Sequence, residues 1–196
     1  MALDTYAGLQ AAILVWLARP GDQLLVPAVP DMIRLFEAEA SRRLHTAGAE
    51  KTADVTADAV AVPLPGDCVE VRVASIGDTD LQYVTPDQLP GQSGNPLHYT
   101  IVGHEILLGP APSGTQTVHL IYQGGVPLLS DLAPSNWLLE AAPDAYLFGS
   151  LVEAEAFIGE DERAQLWLAR REAAFEAIGQ ADRKARWPGA LQMRVA

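Results

Sequence analysis

Cys68 is the one cysteine of the 196-residue chain. A lone cysteine excludes an internal disulfide framework and zinc sites built on several thiolates, and it fits a cytosolic origin. Lysine is nearly missing too. Lys51 and Lys184 stand alone while arginine and alanine abound, a bias that fits a GC-rich bacterial or viral genome. No apolar run approaches the roughly 18 consecutive residues of a membrane-spanning helix. The opening stretch MALDTYAGLQAAILVWLARPGD lacks the basic start of a secretory signal, and Asp4 and Gln10 fit a soluble helix.

Reactive chemistry is equally sparse. His45, His98, His104 and His119 show no His-x-x-x-His spacing, and two of them fall in predicted strands, so exposed or edge-strand histidines are expected. No GxSxG elbow occurs, and Ser93 and Ser113 sit in loops without a neighbouring base. GHEILLG has neither the glycine spacing nor the following helix of a phosphate cradle. Acids such as Glu153, Glu155 and the run Gly159-Glu160-Asp161-Glu162 suggest acid–base work, but acids at a helix start answer to the helix dipole. Cys68, between Asp67 and Glu70, has no cationic neighbour in sequence to lower its pKa. A small hydrolase using a serine or histidine of the middle region stays open as one alternative, and a monomeric binding module as another. No cofactor and no metal site is expected.

What is present is a core's worth of apolar residues, 49% of the chain, and a lopsided charge. The net charge is −12. Residues 181–196 carry Arg183, Lys184, Arg186 and Arg194 against Asp182, or +3. The preceding 180 residues hold nine bases and 24 acids, or −15. An acidic body argues against gripping nucleic acid, which needs bases on phosphates.

Periodicity divides the chain into parts. Over residues 4–18, Leu3, Tyr6, Leu9, Ile13, Trp16 and Leu17 share one helical face, stopped by ARPGD. A second helix starts near Pro30 with Asp31 in its first turn, buries Ile33, Phe36, Ala40 and Leu44, and turns Arg34, Glu37, Glu39, Arg42 and Arg43 to water. The middle changes to short alternating runs. VEVRVASI (69–76) predicts a half-buried strand with Val69, Val71 and Val73 inward. YTIVGHEILLG (99–109) predicts two strands about Gly103-His104, and TQTVHLIYQ (115–123) another. LPGQSGN (89–95) is the candidate mobile loop.

Helices then return. In PSNWLLEAAPDAYLFGSLVEAEAFI (134–158), Ser135 or Asn136 caps a short helix and Pro143 opens a longer one that ends at Gly159. Leu166, Trp167, Ala174, Phe175 and Ile178 mark the core face of the last helix. The fold class is therefore α+β. A bundle of about four helices is made from a pair at 1–50 and a pair at 129–181, with a small antiparallel β domain inserted at 51–128 and an extended arm at 182–196. Trp16, Phe36, Trp137, Tyr146, Leu151, Trp167 and Phe175 are the expected packing residues of bundle and subunit contacts. Arg183, Lys184, Arg186, Trp187, Pro188, Leu191, Met193 and Arg194 form an arm whose apolar load is high for a solvated terminus.

The succession TYAGLQAAI, VPDMIRLFEAEASRRL, LQYVTPDQL, HYTIVGHEILLGPAP and VPLLSDLAPSNWLLEAAPDAYLFGSLVEAEAF resembles the head-to-tail adaptors of tailed bacteriophages and gene-transfer-agent particles. DERAQLWLARREAAFEAIGQADRKARW extends the likeness, which covers nearly the whole chain. The resemblance implies a structural virion protein made in the host cytoplasm, not an enzyme. It implies a homo-oligomeric ring, a dodecamer, beneath the portal protein. Such a ring extends the channel for double-stranded DNA without reading its sequence, and it offers a platform to tail, nozzle or stopper proteins. The C-terminal arm would reach the portal.

Overall fold

A computed structural model describes residues 3–159 and 161–186, without the side chains of residues 161 and 162. The chain forms two compact units: residues 50–125 make one, and the segments before and after them make the other.

The flanking segments build the helical unit. Thr5 caps α1 (Tyr6–Trp16) by accepting from the Gly8 amide at 3.2 Å. The chain leaves that helix where Ala18 adopts a φ of 55°, and Asp22 Oδ1 then accepts from the amides of Leu24 and Leu25. Helix α2 (Val29–Arg43) has Pro30 and Asp31 in its first turn and Arg42 and Arg43 in its last, the order that the helix dipole favours. Asn136 caps α3 (Trp137–Ala141), and Pro143 opens α4 (Pro143–Ile158), which ends at Gly159 with φ 81°. The longest helix, α5 (Asp161–Arg186), packs along α4, which also lies on α2 and α1. Leu9, Ile13, Phe36, Leu138, Tyr146 and Leu151 are fully buried at the centre.

Three expectations change here. Glu37 is buried, because its place on α2, one residue after Phe36 and four after Ile33, lies inside the apolar arc. Leu166, expected in the core, is 49% exposed. Helix α5 runs on to Arg186, so Arg183, Lys184 and Arg186 are helical rather than extended. Asp182 fixes that last turn by accepting from Arg186 Nε at 2.8 Å and from the Ala47 amide at 2.6 Å.

The inserted unit is made of short strands. In chain order they are β1 (Glu50–Ala57), β2 (Ala61–Pro63), β3 (Cys68–Ile76), β4 (Thr79–Asp80), β5 (Gln82–Tyr83), β6 (Ser93–Gly94), β7 (His98–Val102), β8 (Glu105–Gly109), β9 (Ala111–Pro112) and β10 (Gln116–Gly124). One sheet runs β1-β10-β3-β4 and is antiparallel throughout. A second runs β2-β8-β7-β5, with β5 parallel to β7, and β6 pairs with β9. The β7–β8 turn falls at Gly103, whose φ of 62° suits a residue without a Cβ. Val62, Val71, Ala74, Ile106, Leu108, Val118 and Leu120 fill the unit's core.

The alternation expected in β3 fails. Val71 is buried, but Val69 and Val73 are 47% and 37% exposed. Opposite β10, the register skips Arg72 and then Val69, and each extra residue moves the side chains that follow to the other face. Ala74 takes the inward place instead.

Candidate functional site

The expected packing residues fall into two aromatic groups in the helical unit. Phe36 meets Tyr146 edge-on, with ring centroids 4.9 Å apart, and lies at 24° to Phe175 at 5.9 Å. Leu151 is buried in the same core. The second group joins α1, α4 and α5. Phe148 and Trp167 stack at 8°, and Trp16 meets both edge-on at 5.9 and 5.5 Å. Phe148, which sequence reading passed over, is one of the three rings of this group, each in contact with the other two. Trp16 is 45% exposed, so only part of it serves the core. Trp137 is half-buried, and its Nε1 has no hydrogen-bond partner.

A buried polar network ties the segment after the β unit to the bundle. Glu37 Oε1 accepts from the Leu129 amide at 2.8 Å and from the Tyr146 hydroxyl at 3.1 Å. Asn136 Nδ2 donates to Tyr146 Oη and to the Pro127 carbonyl, both at 2.6 Å. Asn136 Oδ1 accepts from the amides of Leu138 and Leu139. Burial pushes the Glu37 carboxyl above the usual carboxylate range, although the Leu129 and Tyr146 bonds pull against it. Burial and the Glu37 charge raise Tyr146 as well. Glu155 is a second acid with no exposure: Oε1 accepts from Trp167 Nε1 at 3.2 Å and meets Arg163 Nε at 3.3 Å, while Oε2 has no hydrogen-bond partner.

Alongside α5 runs a groove of about 840 Å³, with Leu44, His45, Phe175, Gly179, Asp182 and Arg183 in its lining. Charge organises its edge. Arg43 donates to Glu39 at 2.9 Å and Glu172 at 2.8 Å, and its guanidinium lies 4.5 Å over the Phe175 ring. Arg171 donates to Glu39 at 2.6 Å and Glu172 at 2.9 Å. The hydrogen bond from Arg43, helped by Arg171, holds the Glu172 carboxyl at about 2, and the bond to Glu172 raises Arg43 in turn.

The residues weighed for chemistry are scattered. His119 Nδ1 meets Asp54 Oδ1 at 2.6 Å across β10 and β1. His104 lies exposed in the β7–β8 turn, and His98 is half-buried on β7 with an unpartnered Nδ1. Ser93 and Ser113 are exposed, and His45 lies in the helical unit. Burial and then Asp67 push the Cys68 thiol up, which disfavours the reactive thiolate. Among the described residues, no group of three or more His, Cys, Asp or Glu is placed to hold a metal ion. Also among them, no helix is long and apolar enough to cross a membrane. Of the arm, Trp187, Pro188, Leu191, Met193 and Arg194 lie outside the described residues.

The chain is α+β, and the polar groups described above join its own elements to one another. The family model described as SU10 adaptor protein matches residues 4–194. The chain belongs to that family of structural phage head-to-tail adaptors. No curated protein matches the chain.

Proposed function

We propose that this protein is the subunit of a ring, a dodecamer, that sits beneath the portal of a phage or phage-like particle. The ring extends the DNA channel and carries the tail, nozzle or stopper protein. The observation that carries this reading is the adaptor family's match from one end of the chain to the other. The charge layout supports it. A body of −15 repels phosphates, so a duplex slides past its wall, and only acids within the ~8 Å screening length of the DNA act on it.

The basic end of α5 and the residues after it are the portal-facing element in this reading. A tryptophan buries about 150–250 Å², worth roughly 4–6 kcal/mol before ordering costs, and repetition around a ring multiplies even a small surplus. Because α5 continues to Arg186, the informative truncation removes residues 187–196. The truncated protein keeps the thermal stability of the full chain and loses binding to purified portal rings. Portal binding equal to that of the full chain overturns the assignment of residues 187–196. Electron microscopy of particles that finds no ring of this chain between head and tail overturns the whole reading.

A further inference from the structure

Two acids of the helical unit, Glu155 and Glu37, are buried. Glu155 meets Arg163 at 3.3 Å. Glu37 makes no ion pair among the described residues; Arg34 is exposed and acts on it only through space. A buried carboxylate normally has a cationic partner, so its lack at Glu37 calls for a physical reason.

One of the two Glu37 oxygens is also idle. Oε1 accepts from the Leu129 amide and the Tyr146 hydroxyl, whereas Oε2 accepts no hydrogen bond among the described residues. Glu37 lines a pocket of about 260 Å³, together with buried Ile33 and Leu129. Half-buried Tyr6 and exposed Asp31, Arg34 and Leu128 complete the wall on its solvent side. The surroundings are negative. Burial first, and then the charges of Asp131, Glu37 and Asp31, push the Tyr6 hydroxyl up, which sets three carboxylates about one phenol.

We propose that this pocket receives the guanidinium head of an arginine side chain from another protein chain, with Glu37 Oε2 as its acceptor. The site stands whether or not the subunits form a ring. Charge excludes an anion, which would be set against Glu37 and Asp31. A bare metal ion lacks ligands, since no group of three or more His, Cys, Asp or Glu among the described residues is placed to hold one.

Size and lining select the rest. The pocket is smaller than the roughly 300–1,000 Å³ of sites for drug-sized ligands, so it suits one long side chain rather than a cofactor. Ile33, Leu128, Leu129 and the Tyr6 ring offer apolar wall to an alkyl stem, which long basic side chains lay along such surfaces while the charge goes to a polar end. A guanidinium is more weakly hydrated than an ammonium and carries several donors, so it suits an enclosed carboxylate better. Its remaining donors have the Tyr6 hydroxyl and the Asp31 carboxylate to meet. Filling the pocket in this way supplies the counter-charge that Glu37 lacks.

The probe is n-propylguanidinium, the arginine side chain cut at Cβ. Isothermal titration of the full-length protein at constant ionic strength shows saturable binding of this ion, and its uncharged isostere n-propylurea shows none. E37Q keeps an acceptor for Leu129 and Tyr146, folds with a Tm no lower than wild type, and weakens binding by at least about tenfold. Asp31→Asn, an exposed change outside the core, weakens it by about threefold. A wild type that does not bind the ion, or binds the urea equally, overturns the site, and so does undiminished binding by E37Q. Two further measurements on E37Q identify the chain that supplies the arginine. Weaker self-association in sedimentation equilibrium makes it a neighbouring copy. Wild-type self-association with lost binding to portal or tail rings makes it a different protein. E37Q that matches wild type in both respects overturns the proposal. A wild type that ignores portals sinks the ring reading, while the titration still decides the pocket.

Discussion

Gly149 on α4 lies directly against the ring of Phe36 on α2, so closely that a methyl group at position 149 would overlap the ring carbons. The Phe36 ring is fixed on its other sides by Tyr146 and Phe175 and has no exposure, so it has little room to yield. Gly149 lets α2 and α4 approach face to face, and the ring fills the space that a Cβ would occupy.

The first prediction follows from that contact. Gly149→Ala gains helix propensity of about 1 kcal/mol but overpacks the site, which costs about 1–3 kcal/mol or more. Urea unfolding shows a net loss of stability. A double variant with Phe36→Leu recovers part of it, because the smaller side chain frees the space. A stabilised G149A would mean that the helices separate without cost.

Glu37 gives a pH prediction. Its folded pKa lies above the ordinary glutamate value because burial disfavours the charge. The folded state therefore binds the proton more tightly than the unfolded chain. Stability falls as pH rises from the ordinary carboxylate pKa through the raised folded value. Glu37→Gln keeps an acceptor for the Leu129 amide and the Tyr146 hydroxyl and has no charge to bury. It removes that slope and unfolds at higher urea than wild type at neutral pH, with the difference vanishing in acid. A variant that is less stable at neutral pH and equally pH-dependent contradicts this account.

The acid limb belongs to Glu172. Its pKa is depressed to about 2 by Arg43 first and Arg171 second, so its contribution is present above the ordinary glutamate pKa and is lost as pH falls toward 2. Glu172 is 45% exposed, so solvent screening discounts the pair to a few tenths up to about 1 kcal/mol. Glu172→Gln lowers stability by that amount at neutral pH and flattens the loss below pH ~4.5. Raising the salt concentration narrows the gap between the two proteins.

Much of the fold is legible in the sequence because local signals agree with tertiary ones. Pro30, Asn136, Pro143 and Gly159 mark helix ends by chemistry that acts within a few residues, and all four stand at those ends. Gly103 does the same for a hairpin. The misses have non-local causes. The inward set of β3 depends on bulges opposite β10, which no pattern inside 69–76 records. Strand β1, EKTADVTA, escapes notice because its alternating residues are small or charged rather than strongly apolar. Glu37 looks solvent-facing by residue type, and only the arrival of Leu129 and Tyr146, about a hundred residues away in sequence, makes its burial tolerable. On the surfaces, apolar character identifies Trp16 as a packing residue, yet its exposed half becomes visible only once Phe148 and Trp167 are in place.

The last prediction concerns Asn136, which does two jobs. Its oxygen caps α3, and its nitrogen donates to Tyr146 Oη and the Pro127 carbonyl. Asn136→Ala loses the cap, about 1 kcal/mol, and leaves buried acceptors without a donor, about 1–3 kcal/mol more. Asp is as good an N-cap as Asn in general, so a cap-only account makes Asn136→Asp harmless. Here the aspartate would turn a second oxygen toward two acceptors and set a carboxylate on the same tyrosine that bonds Glu37. Asn136→Asp is therefore expected to be destabilised at neutral pH by at least as much as the alanine variant. It recovers stability on acidification, when its carboxyl gains the proton that restores a donor. Urea unfolding from pH 5 to 8 distinguishes the accounts, and a wild-type-like aspartate variant at neutral pH would show that the tyrosine link contributes nothing.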